Sequence, residues 1–185
     1  MKLKNRAVYQ LVCLLFLGGI ECTFSNSREN SASNLPVSDF RSVSPASVRD
    51  DIDQNFRNLI ARTARRYLGI RYRSSGKNPR VGFDCSGFTG FVFKKMGIPL
   101  KASSPAQAKE GKRVSFHSAQ KGDLAFFGHR NRKGRFFVNH AAIVISDPGE
   151  PLSIIHAASR KGIVITRVMD EPYWRKSLLF VKSVL

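Results

Sequence analysis

The chain has 185 residues, with 31 Lys+Arg against 13 Asp+Glu and a formal net charge of +18. Hydrophobic residues make up 42% and charged residues 24%, which suits one domain with a sizeable core and excludes wholesale disorder. Its 3 Cys are too few for a disulfide scaffold or a four-Cys zinc module, and the excess of cations asks for a polyanionic partner: nucleic acid, an anionic membrane surface or a cell envelope.

In chain order, the first element is an export segment over residues 1–22. Lys2, Lys4 and Arg6 precede a largely apolar run from Ala7 to Ile20, too short for a comfortable bilayer span and flanked as a secretory signal is. An uncleaved anchor is the alternative. Cys22 invites a lipoprotein reading, in which the cysteine carries lipid. Glu21 departs from the small-residue box expected before such a cysteine, so cleavage near Thr23-Phe24-Ser25 competes with lipidation. Loss of residues 1–22 removes three cations and one acid and leaves +16, so the basicity belongs to the mature chain. An exported protein rarely meets nucleic acid, which favours anionic envelope polymers or a membrane surface as the partner.

Residues 23–46, rich in Ser and Asn with Pro36 and Pro45, read as a flexible tether to a domain over 47–185. A helix then follows, with Ser47 and Asp50 as a capping-box variant. Ile52, Phe56, Leu59, Ile60, Ala64, Tyr67 and Leu68 recur at helical spacing up to a stop at Gly69. Arg57, Arg62, Arg65 and Arg66 fall largely on the other face and read as solvated. Residues 70–83 carry loop chemistry. A second helix is expected from Cys85 to about Met96, ended by Gly97 and Pro99. Residues 101–120 read as loop with a short helix near Pro105–Glu110. The period then changes: Leu124–Phe127, Phe136–Ile145, Leu152–Ala157 and Ile163–Val168 are apolar runs separated by turns. They predict consecutive antiparallel strands, with Leu178–Leu185 as a further one. Helices first and strands later make an α+β fold.

Four stretches could carry chemistry. Asp84-Cys85-Ser86-Gly87-Phe88 places a cysteine at a helix start, where the helix dipole and unpaired amides lower a thiol's pKa and where Asp84 can cap; the plain alternative is a buried, inert cysteine. Asn139-His140 opens one apolar strand, and Ile155-His156-Ala157 lies on the next. Adjacent antiparallel strands can set both imidazoles side by side on one sheet face, although either histidine alone is commonly a core residue. Gly122-Asp123-Leu124 reads as a purely structural turn into a buried strand.

Taken together, these motifs resemble the NlpC-type family of cysteine peptidases, bacterial cell-wall endopeptidases with a papain-like fold. The resemblance runs from about Asp50 to the C-terminus and rests on DCSGF at 84–88, GDLAFF at 122–127, the histidine opening a strand, and IHAAS at 155–159, in the family's order. Where the family usually has Val-Gly after that histidine, this chain has Ala141-Ala142. The resemblance implies a papain-like domain in which one helix begins at the catalytic cysteine and packs on the antiparallel sheet. It implies Cys85 as nucleophile, His140 as base, His156 as the group fixing the tautomer of His140, and the Tyr72 hydroxyl as an oxyanion donor beside the Cys85 amide. It also implies hydrolysis of peptidoglycan peptide stems, typically at the γ-D-glutamyl–diamino acid bond. Gln107 resembles a glutamine common after the second helix and reads as structural. No cofactor or metal is implied. An exported monomer is expected, in the periplasm, anchored in the envelope or outside the cell.

Other readings compete. A non-catalytic envelope-binding protein accounts for the charge but not for an intact Cys-His-His set. An amidase or lipid acyl hydrolase on the same fold would use the same residues. A metal site drawing on Cys85, His140, His156 and His117 or His129 lacks close ligand spacing. A nucleic-acid binder has the charge without a motif.

Overall fold

The structure is a computed structural model that describes residues 44–185. The export segment and all of the tether before Ser44 lie outside the described residues. The first helix, α1, spans Pro45–Arg65. Its cap is Ser44, whose side chain accepts from the Ser47 amide at 3.2 Å. The expected box at Ser47 is therefore displaced by one turn. Proline at the first helical position, with its φ already near the helical value, makes the earlier start favourable; Pro45 and Ala46 thus belong to α1 and not to the tether. The helix buries Ile60, Ala61 and Ala64 against the core.

A short hairpin follows, β1 (Lys77–Asn78) with β2 (Gly82–Phe83), where only loop was expected. Next come α2 (Cys85–Lys95), α3 (Ser104–Gln107) and the strands β3 (Lys112–Val114), β4 (Leu124–Arg130), β5 (Phe136–Val144), β6 (Ser153–Ala158) and β7 (Gly162–Arg167). A six-residue helix, α4 (Pro172–Ser177), leads straight into β8 (Leu178–Ser183). The strands β3 to β8 form one antiparallel sheet in the order β3-β8-β4-β5-β6-β7. Helices in front of an antiparallel sheet are the expected α+β, papain-like arrangement. Neither β3 nor α4 was expected.

Each sheet face covers its own apolar cluster. One joins α1 and α2 to the sheet through Ile60, Phe88, Phe93, Phe126, Ile143 and Ile155. The other holds Phe127, Val144, Ile154 and Val181, with Trp174 and Leu178 packed on it. Phe83, Phe88, Phe93, Phe126 and Phe127 are fully buried, each stabilising the fold by about 1.5–3 kcal/mol.

One expectation about charge is corrected. Arg57 is not on a solvated face but 5% exposed. Its Nη1 donates to the Asp123 carboxylate at 3.0 Å and to the Lys121 carbonyl at 3.2 Å, while Nε reaches Asp53 at 2.8 Å. Asp123, just before β4, is 1% exposed. Burial of the pair requires that each charge have the other, because a lone buried charge is costly. Burial still raises the Asp123 pKa, against the pull of Arg57 and of the Gln120 amide.

Candidate active site

Cys85 is the first residue of α2, and local chemistry fixes it there. The Asp84 carboxylate caps the helix by accepting from the Gly87 amide at 2.6 Å and from the Ser86 hydroxyl at 3.1 Å. The Asp84 amide in turn donates to the Gly76 carbonyl at 3.0 Å. That carbonyl lies so close to Gly87 that any Cβ there would collide with it; glycine at 87 is what lets the helix start sit against the hairpin. Behind Cys85, buried Gln107 donates to the carbonyls of Ser86 (3.1 Å) and Lys101 (2.9 Å) and accepts from the Thr89 hydroxyl at 2.8 Å. These bonds pin the first turn of α2 to α3, a structural role for Gln107.

The imidazoles come from neighbouring strands. The pairing of β5 with β6 is confined to Ile143↔Ile155 and Val144↔Ile154. Extended, that register sets Ala142 opposite His156, so His140 is a diagonal neighbour. The two rings meet with His140 Nε2 3.1 Å from His156 Nδ1. His156 Nε2 lies 3.0 Å from the Thr166 hydroxyl on β7.

A bulge aims the strand. Phe127 pairs with His140 but Gly128 with Val138, so Asn139 is the extra residue. Bulges of this kind re-aim side chains beside functional sites. Here the Asn139 carbonyl oxygen stands 4.0 Å from Cys85 Sγ. Opposite, Gly128 meets the Phe137 carbonyl too closely for a side chain.

Tyr72, Cys85, Asn139, His140, His156 and Trp174 line one cavity of about 580 Å³. All four residues singled out in the sequence are thus brought to one place. His117 is exposed and His129 stacks on Phe137 at 5.1 Å; neither lines this cavity. Among the described residues no group of three or more His, Cys, Asp or Glu is arranged to hold a metal.

Two contributors were missed in the sequence. Thr166 is an ordinary strand threonine with no distinguishing signal. Trp174 is the chain's single tryptophan, which was a signal of a kind. From α4 its ring centroid lies 4.4 Å from that of His156, 5.0 Å from His140 and 5.1 Å from Phe127.

The electrostatics depart from one expectation. The Cys85 thiol is pushed up, not down. Burial is the main cause. The amides of Ala141 and Ser86 and the Ser104 hydroxyl pull the other way, while the Asp84 carboxylate adds to the rise. The cap that builds the helix start therefore sets a negative charge beside the sulfur. Burial also pushes His140 down to about 4, and burial with the neighbouring His140 pushes His156 down to about 3. The Tyr72 hydroxyl is raised by burial and then by Cys85 and Asp84, so it stays a neutral donor. At neutral pH the resting set is thiol, imidazole and imidazole.

Comparison with known proteins adds the following. Residues 69–183 match the model of the NlpC/P60 family. The chain is similar to a gamma-DL-glutamyl hydrolase of Bacillus subtilis, 34% identical over 126 residues that cover 68% of this chain and 29% of that protein. It therefore spans under a third of the length of that relative. It is also similar to an Escherichia coli murein DD-endopeptidase MepS/murein LD-carboxypeptidase, 28% identical over 170 residues, covering 89% of this chain and 85% of that one. Among solved structures, an NlpC/P60 family protein from Bacillus cereus superposes with a TM-score of 0.61 at 30% identity, over 70% of this chain and 40% of that one.

Proposed function

The chain belongs to the NlpC/P60 family, and from that premise we propose that it is a cysteine peptidase that hydrolyses amide bonds in the peptide stems of peptidoglycan. The observation that carries this reading is the shared cavity: a cysteine sulfur and a hydrogen-bonded imidazole pair open onto the same space.

Cys85 is the nucleophile in this reading and His140 the base. If His140 Nε2–H donates to His156 Nδ1, then His156 Nε2–H donates to the Thr166 hydroxyl, and Nδ1 of His140 is left bare to accept the thiol proton. His156 and Thr166 thus set the tautomer, the part a carboxylate plays in a serine triad. Because thiol and imidazole are both neutral at rest, proton transfer accompanies attack on the carbonyl rather than preceding it. The imidazolium then protonates the leaving amine, and water releases the acyl group from sulfur. The first-turn amide of Cys85 has no acceptor inside its helix and, with the Tyr72 hydroxyl, can receive the oxyanion; loss of one such donor typically costs about 10²–10³ in rate.

The γ-D-glutamyl–diamino acid bond is the favoured target, its γ-glutamyl side in keeping with the name of the Bacillus subtilis relative. A second reading has its own support: the relative matched over 85% of its length is named a DD-endopeptidase and LD-carboxypeptidase. One experiment tests both. Purified sacculi are incubated with wild type and with Cys85→Ala, and released muropeptides are read by mass. New termini at γ-D-glutamate support the first bond and cleaved cross-links the second; equal turnover by both proteins removes Cys85 from the mechanism.

Residues 1–22 as export segment, 23–44 as tether and an envelope location complete the reading. They rest on the sequence pattern, with lipidation of Cys22 as one route to anchoring.

A further inference from the structure

Away from the cavity, the β4–β5 hairpin concentrates charge. Between Leu124 and Ser146 the chain has no Asp or Glu, while Arg130, Arg132, Lys133 and Arg135 crowd the turn. The turn is fixed: Arg130 Nε donates to the Gly134 carbonyl at 2.9 Å, and the Arg135 amide to the Asn131 side chain at 2.8 Å. Several of its cations are held on rings. Arg113 from β3 and Arg130 each lie 5.0 Å from the Phe136 centroid, and Arg113 lies 4.2 Å from that of Phe180. On Phe137, Arg135 lies at 5.7 Å and His129 stacks. A guanidinium laid on an aromatic face keeps its edge N–H groups free for phosphate oxygens. Among the described residues the ion pairs use Arg57, Lys121 and Arg167, and none uses these five cations. None of the hairpin's residues 128–138 lines the cavity at Cys85.

We propose that the tip of the β4–β5 hairpin, with Arg113 beside it, is a docking surface for an anionic phospholipid bilayer. The choice of a bilayer over a soluble polyanion rests on Phe137, which is 42% exposed and carries Arg135 over its ring. An aromatic ring among arginines suits the headgroup region, where it can leave water while the guanidiniums meet phosphate. A polymer in solution offers the cations a partner but the ring none. Docking this way would hold His140 off the membrane: it follows Phe136 by four residues on β5, roughly 13 Å of strand.

This goes beyond the peptidase reading and is independent of it. The test is partition of the full chain onto phosphatidylcholine vesicles with and without phosphatidylglycerol, beside binding of a soluble polyglycerol phosphate. The quantity read is the excess binding produced by the anionic lipid, compared between wild type and variants that all carry the same N-terminal segment with Lys2, Lys4 and Arg6. Arg132→Gln/Lys133→Gln/Arg135→Gln is expected to lower that excess roughly a hundredfold. Phe137→Ser is expected to weaken binding to anionic vesicles while leaving polymer binding unchanged. Circular dichroism matching the wild type establishes that the variants fold. An unchanged anionic excess in the triple variant overturns the proposal. So does a Phe137→Ser variant that binds anionic vesicles as wild type does while the triple variant loses the polymer, an outcome that assigns the surface to a phosphodiester polymer.

Discussion

Trp174 stands nearly edge-on to His156, with ring centroids 4.4 Å apart and planes at 71°, and covers His140 from the same position. That cover keeps water from two imidazoles whose burial holds them near 4 and 3. A base must be unprotonated, so His140 stays competent down to about pH 5. Trp174→Ala admits water and lets the His140 pKa climb toward its usual 6.5. At pH 5.5 only about a tenth of that imidazole would then be neutral, and kcat/KM should fall about tenfold relative to its value at pH 8. Trp174→Phe, which keeps an apolar ring, should retain the acid limb. A pH profile of kcat/KM reads this directly; an acid limb that does not move in Trp174→Ala would refute the role.

The thiol behaves differently from the sequence-based expectation, and alkylation measures the difference. With Cys85 raised by burial and by Asp84, iodoacetamide should react slowly near pH 7 and faster only as pH passes the ordinary thiol range. A preformed thiolate–imidazolium pair would instead give a plateau across neutral pH. Asp84→Asn removes the adjacent negative charge while leaving an oxygen for the cap, so it should shift the alkylation curve to lower pH.

Thr166 closes the chain of ring nitrogens. Thr166→Val keeps the shape and removes the acceptor at 3.0 Å from His156 Nε2. One hydrogen bond of about 1–1.5 kcal/mol corresponds to roughly tenfold in rate. The loss should appear in kcat with KM little changed, and Thr166→Ser should restore most of it. Steady-state kinetics on a muropeptide substrate would show whether KM moves instead, which would point to substrate contact.

Arg57 and Asp123 make the stability counterpart. Arg57→Met leaves Asp123 buried and unpaired, at a cost of about 3–5 kcal/mol. Replacing both, as Arg57→Met/Asp123→Leu, should recover much of that loss because no charge is then stranded. Urea unfolding of the two variants checks it. Additive losses would mean that the pair does not act as a unit.

What was legible in the sequence follows the length and period of each element. The strands β4 to β8 showed themselves because each is an apolar run bounded by turn residues. The start of α2 was legible because Asp84 and Cys85 sit where a cap and a first turn must. Three elements were hidden for physical reasons. Strand β3 reads Lys-Arg-Val, two charges in three residues. Helix α4 has six residues, none of them buried, so it leaves no hydrophobic period. Hairpin β1–β2 has two residues in each strand. The burial of Arg57 was hidden because its partner Asp123 lies 66 residues away; local periodicity contains no trace of such a pair. At the site, Cys85, His140 and His156 could be named from residue type and order and Tyr72 through the family resemblance, whereas Thr166 and Trp174 enter only through the packing of β7 and α4 around the rings. The direction of the thiol shift needed coordinates too, since burial and the charge of the cap outweigh the amides that favour the thiolate.

The anchoring of α1 has a mechanical consequence. Residues 1–43 join the described chain through this helix, and Arg57 fastens it to the Lys121 carbonyl, to Asp123 ahead of β4 and, at 3.4 Å, to the Ser183 hydroxyl on β8. In the sheet order, β8 and β4 lie on one side of β5 and β6 on the other. Tension arriving along the upstream chain therefore reaches β8 and the turn before β4 and, through the Val144 amide that donates to the Asp123 carbonyl at 2.8 Å, passes on to β5, the strand that carries His140.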